Sequence, residues 1–245
     1  MAQRSTIIGD ITRRTTIYRV FPRNRFFELF DEKKNALVQP TMWEDPFENF
    51  ILKSPVRTAA GETGAFAFHG HVYGQCWTLK KRSDAMWRIY SPKTDAVRVR
   101  TTVGRLIDSL CAANKGVTND SCFIGKVDYP PDFKLMKFAR TVFKDGLTAE
   151  AVARSLLKKR DAFEHEAEVR LIYFEGQNKQ HDGGVYKYTL DPLAAFDQFM
   201  IDPRLSYKKF RTFKDELVAR TSIDEARIKR SLLYKPPEGF VVEIP

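Results

Sequence analysis

Glu164-His-Glu166-Ala-Glu168-Val-Arg170-Leu-Ile-Tyr-Phe174 runs three acids, a histidine and an arginine straight into an apolar strand. Side chains alternate across a strand, so Glu166, Glu168 and Arg170 are expected on one face and Ala167, Val169 and Leu171 on the other. Past Arg170 both faces turn apolar through Ile172 and Phe174, which requires an interior strand covered on both sides. Charged groups at such a mouth are costly to bury unless they are paired or used chemically. An ion pair among Glu166, Glu168, Arg170 or their neighbours and a catalytic site are the two readings the strand leaves open.

With 245 residues, 43% of them hydrophobic, the chain suffices for one sizeable core or two small ones. No internal repeat, low-complexity tract or long Pro/Gly/Ser linker divides it, so residues 1–245 are expected to form a single domain. No run of about 18 apolar residues occurs, and Met1-Ala-Gln-Arg-Ser lacks the apolar stretch of a secretory signal. No membrane association and a cytoplasmic location are therefore expected. Cys76, Cys111 and Cys122 are an odd count without C-x-x-C spacing, which points to reduced, mostly buried thiols.

The net charge of +10 is concentrated in two stretches. Residues 11–27 carry five bases (Arg13, Arg14, Arg19, Arg23, Arg25) and no acid, a net +5. Residues 80–105 carry eight (Lys80, Lys81, Arg82, Arg88, Lys93, Arg98, Arg100, Arg105) against Asp84 and Asp95, a net +6. Beside one cleft they would attract the phosphates of a nucleotide or nucleic acid; apart, they are a solvated surface.

Residues 15–21, β-branched and aromatic before Pro22, read as the first strand, and residues 25–34 as a helix. Residues 36–39 lead into the Pro40 turn, Trp43 to Glu48 form an aromatic-acidic loop, and residues 51–64 a loosely ordered connection. Residues 65–78 suggest strand, glycine-permitted bend and strand. Ser83 is a plausible N-cap for a helix that closes before Pro92, with Trp87 and Tyr90 three apart on roughly one face. Further strands are expected over 97–103, 123–129 and 185–190 and up to Asp202, helices over 103–113, 147–160, 207–220 and 223–230, and a hairpin turn at Asp182-Gly-Gly. Short helices between hairpin-like strands, without regular βαβ spacing, imply an α+β fold with mixed or antiparallel sheets.

No G-x-x-x-x-G-K-[ST], G-x-G-x-x-G or G-x-S-x-G occurs, which removes the usual phosphate loop, dinucleotide fingerprint and serine nucleophile elbow. His69, His71 and Cys76 have spacing that a metal would accept but lack a clear fourth ligand, so no metal site is assigned. A metal-dependent nuclease would draw on Asp45, Glu48, Glu166 and Glu168, but needs a lysine that the strand lacks. The chemistry left is transfer of ADP-ribose from NAD, in which a fixed carboxylate faces the oxocarbenium-like ribose carbon. Such a site also needs an arginine for phosphate or ribose, an aromatic wall for nicotinamide and a small hydroxyl residue on a neighbouring strand. Arg19 beside Tyr18, Trp77-Thr78 and Glu168 occur in an order that suits it.

Tyr18-Arg19, Trp43-x-Asp45-Pro46-x-Glu48, Cys76-Trp77-Thr78, Met86-Trp87-x-x-Tyr90-Ser91 and Glu166-x-Glu168-x-Arg170 together resemble a bacterial family of uncharacterised domains. The chain also resembles ADP-ribosyltransferases, whose three motifs are an arginine or histidine on strand one, a Ser/Thr-containing strand and a late E-x-E. That second resemblance implies an ADP-ribosyltransferase-like fold, NAD as substrate, Glu168 as the catalytic carboxylate and Glu166 as the group that orients the acceptor. Arg19 or Tyr18 would hold the ribose or phosphates and Thr78 would take the Ser/Thr role, with Trp77, Trp87, Tyr90 and Ser91 completing the cofactor side. Cys76-Trp77-Thr78 stands where Ser-Thr-Ser is commonest, a departure from the arginine-glutamate subtype.

The acceptor would be RNA, DNA or a protein, and the setting a bacterial toxin or anti-phage defence effector, with an inhibitory partner protein in view. Each residue also has a structural role open to it. Tyr18, Trp77 and Trp87 would be core, Arg19 a surface base, Thr78 a strand end, and Asp45 and Glu48 partners of local backbone or arginines. The competing functional class is a non-catalytic nucleic-acid-binding module whose carboxylates are structural.

Overall fold

The computed structural model describes residues 6–57, 60–66, 69–114, 121–175, 183–237 and 239–244. The first half contains strands β1 (Thr6–Ile8), β2 (Thr16–Phe21), β3 (Lys34–Val38), the short pair β4 (Val56–Arg57) and β5 (Thr63–Gly64), and β6 (Val72–Thr78). Helices α1 (Arg23–Glu32) and α2 (Phe50–Lys53) lie between them, and α3 (Asp84–Tyr90) follows. The second half contains β7 (Val97–Thr102), α4 (Val103–Ala113), β8 (Cys122–Lys126), α5 (Asp132–Thr141), α6 (Ala149–Ser155) and β9 (Glu168–Phe174). It ends with β10 (Val185–Thr189), α7 (Pro192–Ala195), β11 (Gln198–Ile201), α8 (Tyr207–Thr221) and β12 (Ile228–Arg230).

Among the described residues a ten-stranded mixed sheet runs β1-β8-β9-β6-β2-β7-β11-β12, and a branch leaves it through β3 and β10. The α+β expectation is met, and β9 is an interior strand paired antiparallel to both β6 and β8. One face of the sheet is apolar: Ile17, Phe21, Trp77, Val97, Val99, Val169, Leu171 and Phe199 pack under α1, α4 and α8. Burying side chains of this size contributes roughly 1.5–3 kcal/mol each, which sets β2, β6, β7 and β9 firmly in register.

The other face is divided. At one end Val72, Phe123 and Ile172 pack against Leu156 and Leu157. At the other end Arg100, Tyr18, Thr78 and Glu168 stand in one row, because each faces the next across β7, β2, β6 and β9. The strands of this row are not uniformly joined. β2 and β6 share the single register pair Tyr18↔Thr78 and diverge beyond it.

Several expectations need correction. Glu166 is not on the strand: it ends a 3-10 turn over Asp161–Glu166, and Ala167 takes a left-handed conformation at φ 44° before β9 begins. The helix expected over 147–160 is confined to α6, because Leu156 and Leu157 turn into the second core and free Lys158 to Arg160 from helical geometry. The helix expected over 223–230 shrinks to a 3-10 turn at Glu225–Arg227, and Ile228 pairs with Phe199 in a parallel edge strand, where a β-branched residue packs well. Residues 51–64 hold α2 and the β4–β5 pair, apart from residues 58–59, which lie outside the described residues. Of the strand-bend-strand expected over 65–78, the described residues hold a 3-10 turn at His69–His71 and the strand β6, while residues 67–68 lie outside them. Asp182, one of the three residues of the expected hairpin turn, lies outside the described residues, and the strand after it, β10, pairs with β3 and not with β9. Helix α5 and strands β1 and β3 had no counterpart in the sequence reading.

Candidate active site

The separation of β2 from β6 leaves a cavity of about 50 Å3 whose lining includes Tyr18, Arg19, Cys76, Thr78, Tyr90 and Glu168. Trp77 lines it too, although its side chain belongs to the apolar core and its indole N–H donates to Gln75 Oε1 at 2.9 Å. Arg19 reaches into the gap between the strands and donates to the Cys76 carbonyl, while its Nε is buried without a hydrogen-bond partner. Burial pulls the Arg19 guanidinium below its ordinary range and pushes the Cys76 thiol well above its own, so Cys76 stays protonated and is a poor nucleophile.

Helix α3 opens on a Ser83 side-chain cap, as expected. Met86 and Tyr90, four residues apart, face the cavity. Trp87 and Ser91, expected on the cofactor side, do not line it. Trp87 is buried against Val20 and Ala96. Ser91 donates to Asp202 Oδ2 at 2.5 Å and accepts from the Ala96 N–H at 3.2 Å, so both residues hold α3 to the sheet. The three-residue spacing of Trp87 and Tyr90 places them on adjoining sides of the short helix, one buried and one at the cavity.

Behind Glu168 lies a buried electrostatic cluster. Lys159 Nζ sits 2.7 Å from Glu48 Oε1, 2.6 Å from Glu166 Oε2 and 2.7 Å from Glu168 Oε1. Arg170 Nε donates to Glu168 Oε2 at 2.8 Å, its Nη1 to the Leu156 carbonyl at 2.7 Å, and its Nη2 lies 3.1 Å from Glu48 Oε2. Its guanidinium also stacks 4.5 Å from the Trp43 ring centre. Glu166, Glu168, Lys159 and Arg170 are each at most 5% exposed, so these pairs are not screened by water. Asp45 caps the Phe47 N–H at 3.0 Å and pairs with Arg160 at 3.0 Å, which aims the following turn so that Glu48 enters the cluster. The Trp43-x-Asp45-Pro46-x-Glu48 and Glu166-x-Glu168-x-Arg170 motifs are thus two halves of one arrangement joined by Lys159.

Three carboxylates against two cations leave one negative charge in excess. Burial, together with the Glu168 carboxylate, raises Glu166 to about 7. Burial opposes the ionisation of Glu168, but the Arg170 charge and hydrogen bonds from Glu166 and Arg170 outweigh it and hold Glu168 well below the usual carboxylate range. One carboxyl therefore stays ionised and its neighbour exchanges a proton near neutrality, the division that acid–base chemistry requires. Thr78 links the pair to the cavity: its hydroxyl donates to the Glu166 carbonyl at 2.6 Å and accepts from the Lys80 N–H at 3.0 Å. Tyr129 OH accepts from the Glu168 N–H at 2.8 Å.

Lys159 was missed in the sequence. It supplies the lysine that a nuclease would need beside its carboxylates, yet its ammonium occupies the point on which all three carboxylates converge. Among the described residues no group of three or more His, Cys, Asp and Glu is arranged to hold a metal ion. The side chain of His69 lies outside them.

Part of the charge of the two basic stretches is paired. Arg13 pairs with Asp108, Arg23 with Glu216, Arg25 with Glu28, Arg88 with Asp84, and Arg100 and Arg105 with Asp197. Lys80, Lys81 and Arg82, exposed on the loop after Thr78, keep a positive rim beside the cavity. All three cysteines are free, with Cys111 and Cys122 buried. Among the described residues no helix is long and apolar enough to cross a membrane.

No family model and no curated protein matches the chain. Among solved structures it is similar to Thermus sp. 2.9 DarT in complex with ADP-ribosylated ssDNA, at 11% identity and a TM-score of 0.41 over 94% of this chain and 98% of that one. It is also similar to Thermus sp. 2.9 DarT in complex with carba-NAD+, at 11% identity and a TM-score of 0.37 over 90% and 97%. The DarT complex with NAD+ gives 11% identity and a TM-score of 0.38 over 87% and 91%. Superpositions this loose assign no role to any residue, and the chemistry is read from the cavity itself.

Proposed function

We propose that the cleft binds NAD and transfers its ADP-ribose to a nucleic acid or protein acceptor. The observation that supports this is the convergence of Tyr18, Arg19, Thr78, Tyr90 and Glu168 on one cavity from four separate elements. In this scheme the bond between nicotinamide and ribose C1′ breaks, nicotinamide leaves with the bonding electrons, and the ionised Glu168 stabilises the positive ribose. An oxygen or nitrogen of the acceptor then forms the new bond to C1′ and gives its proton to Glu166, whose raised affinity suits a base near neutral pH. Tyr18 and Tyr90 form the aromatic wall and Arg19 takes a phosphate or ribose hydroxyl. The Lys80–Arg82 rim favours an acceptor that carries phosphate.

A non-catalytic role is favoured by a different observation: both oxygens of Glu168 are engaged, one by Lys159 and the other by Arg170. In that case the carboxylates stabilise the interior and the basic rim alone binds nucleic acid. Nicotinamide release from NAD by wild type and Glu168→Gln, with and without RNA, DNA and cell lysate, separates the two. Release that vanishes in the glutamine variant supports the transferase. No release under any condition, with nucleic acid still bound by both proteins, assigns the chain to the binding class.

A further inference from the structure

After β12 the chain carries an apolar segment that its own described residues leave uncovered. Phe240, Val241, Val242 and Ile244 are 69–86% exposed, although large apolar side chains this close together are ordinarily buried. The base of the segment is fixed: Leu233 packs against Val20, Trp87 and Ala96, and Tyr234 OH donates to Asp84 at the start of α3. Pro236 and Pro237 then favour an extended backbone. In that conformation Phe240, Val242 and Ile244 share one face, and Val241 and Glu243 share the other.

A groove of about 360 Å3 between α2, β4 and the end of α5 has the matching chemistry. Ile51, Val56 and the rings of Phe66 and Phe143, whose centres are 5.1 Å apart, make an apolar floor. Arg57, Arg140 and Lys144 surround it, all exposed, and among the described residues no carboxylate pairs with any of them. Residues 54–57 form one wall, whereas Thr63 and Gly64, which pair with β4 on its other side, do not line the groove. The free edge of β4 therefore looks into it. Among the described residues the β4–β5 pair stays two-stranded, a ribbon that is marginal by itself and whose edge accepts a further strand.

We propose that this groove takes residues 240–244 of a second copy of the chain as a third strand beside β4. Phe240, Val242 and Ile244 enter the apolar floor, their backbone pairs with the free edge of β4, and Glu243 turns to the rim of Arg57, Arg140 and Lys144. The occupant is a second copy because the segment's own chain leaves its apolar residues exposed. Each copy holds one groove and one tail, so two copies exchange tails and the assembly closes as a two-fold dimer instead of growing into a filament. The contact uses neither the Glu168 cavity nor NAD, and stands or falls apart from the transferase reading.

Sedimentation velocity of the full chain across the micromolar range tests it. Wild type is expected to dimerise. A tail variant, Phe240→Asp with Val242→Asp, and a groove variant, Ala139→Trp, which fills the groove from its half-buried wall, are each expected to be monomeric. Mixing the two is expected to restore a dimer, because one intact tail then meets one intact groove. Circular dichroism and melting temperature check that each variant folds, and Arg140→Glu with Lys144→Glu replaces Ala139→Trp if the latter does not. A fluorescein-labelled, amidated peptide of residues 235–245 is then titrated into the tail variant by anisotropy. Binding that weakens at least about tenfold when Arg140→Glu and Lys144→Glu are added supports the groove. Wild type that stays monomeric, a dimer that survives both variants, a mixture that does not associate, or peptide binding indifferent to the charge reversal overturns the proposal. Monomeric wild type that ignores the peptide, while the tail variant binds it, shows the tail folded onto its own chain and overturns the second copy as occupant.

Discussion

Lys159 and Glu168 meet at 2.7 Å in the interior, although the lysine lies in the turn after α6 and the glutamate opens β9. The same ammonium holds Glu48 and Glu166, so its removal strands three buried carboxylates on Arg170 alone. Breaking a buried pair in this way costs about 3–5 kcal/mol. Lys159→Met is expected to lose that much in urea unfolding, while Lys159→Arg, which keeps the charge, loses less.

Truncation to Lys159→Ala vacates the point where the three carboxylates converge. Hard divalent cations favour such oxygen sets. Millimolar Mg2+ is expected to raise the melting temperature of the alanine variant and leave wild type unchanged; equal responses would show that the ammonium does not stand in for a cation.

Glu166 has a folded-state affinity raised from 4.5 to about 7. Between these values the folded protein holds a proton that the unfolded chain has released, so stability falls as pH rises across the interval. The slope is at most about 1.4 kcal/mol per pH unit. Glu168 has the opposite sign: held low, it contributes stability above its unfolded value near 4.5 that is lost as pH falls below it. Glu166→Gln is expected to flatten the decline between about pH 4.5 and 7 and to spare the acid limb. If acceptor modification uses Glu166 as base, its rate in wild type rises with pH through about 7 and this rise disappears in the variant.

The parts of this site that were legible in the sequence are those whose order resembles the ADP-ribosyltransferase motifs. Tyr18, Thr78 and Glu168 follow that order along the chain, and the register aligns them in one row. The Ser83-capped helix was likewise legible from its cap and Pro92. Lys159 was not, because a lysine after a helical segment carries no signal of burial; its role arises from α6 stopping at Ser155 instead of continuing. Glu166 was assigned to the strand because alternation cannot reveal the left-handed Ala167 that separates turn from strand.

Gly74 faces Trp43 across the sheet surface: a Cβ at this position would lie 2.6 Å from the indole Cζ2. The same ring stacks on Arg170. Gly74→Ala therefore displaces Trp43 and weakens the cover over the Glu48–Arg170 contact, at an expected cost of about 1–3 kcal/mol. Tryptophan fluorescence that shifts toward exposed indole together with a lower melting temperature would confirm it; an unchanged spectrum with full stability would show that the ring moves aside freely.

Thr78 is the only residue of β6 that registers with both β2 and β9, opposite Tyr18 and Glu168. Its hydroxyl closes the turn that carries Glu166 and anchors the loop that carries Lys80, so it positions one carboxylate and the basic rim through two bonds. Thr78→Val keeps the shape and removes both bonds, leaving a buried carbonyl and an amide short of a partner at about 1–3 kcal/mol. Thr78→Ser restores both bonds and should recover most of that loss. A purely structural role lowers stability in the valine variant with nicotinamide release per folded molecule unchanged. A positioning role also lowers kcat for release, and the serine variant recovers stability and kcat together, because the hydroxyl that holds the turn is the one that sets Glu166 beside Glu168.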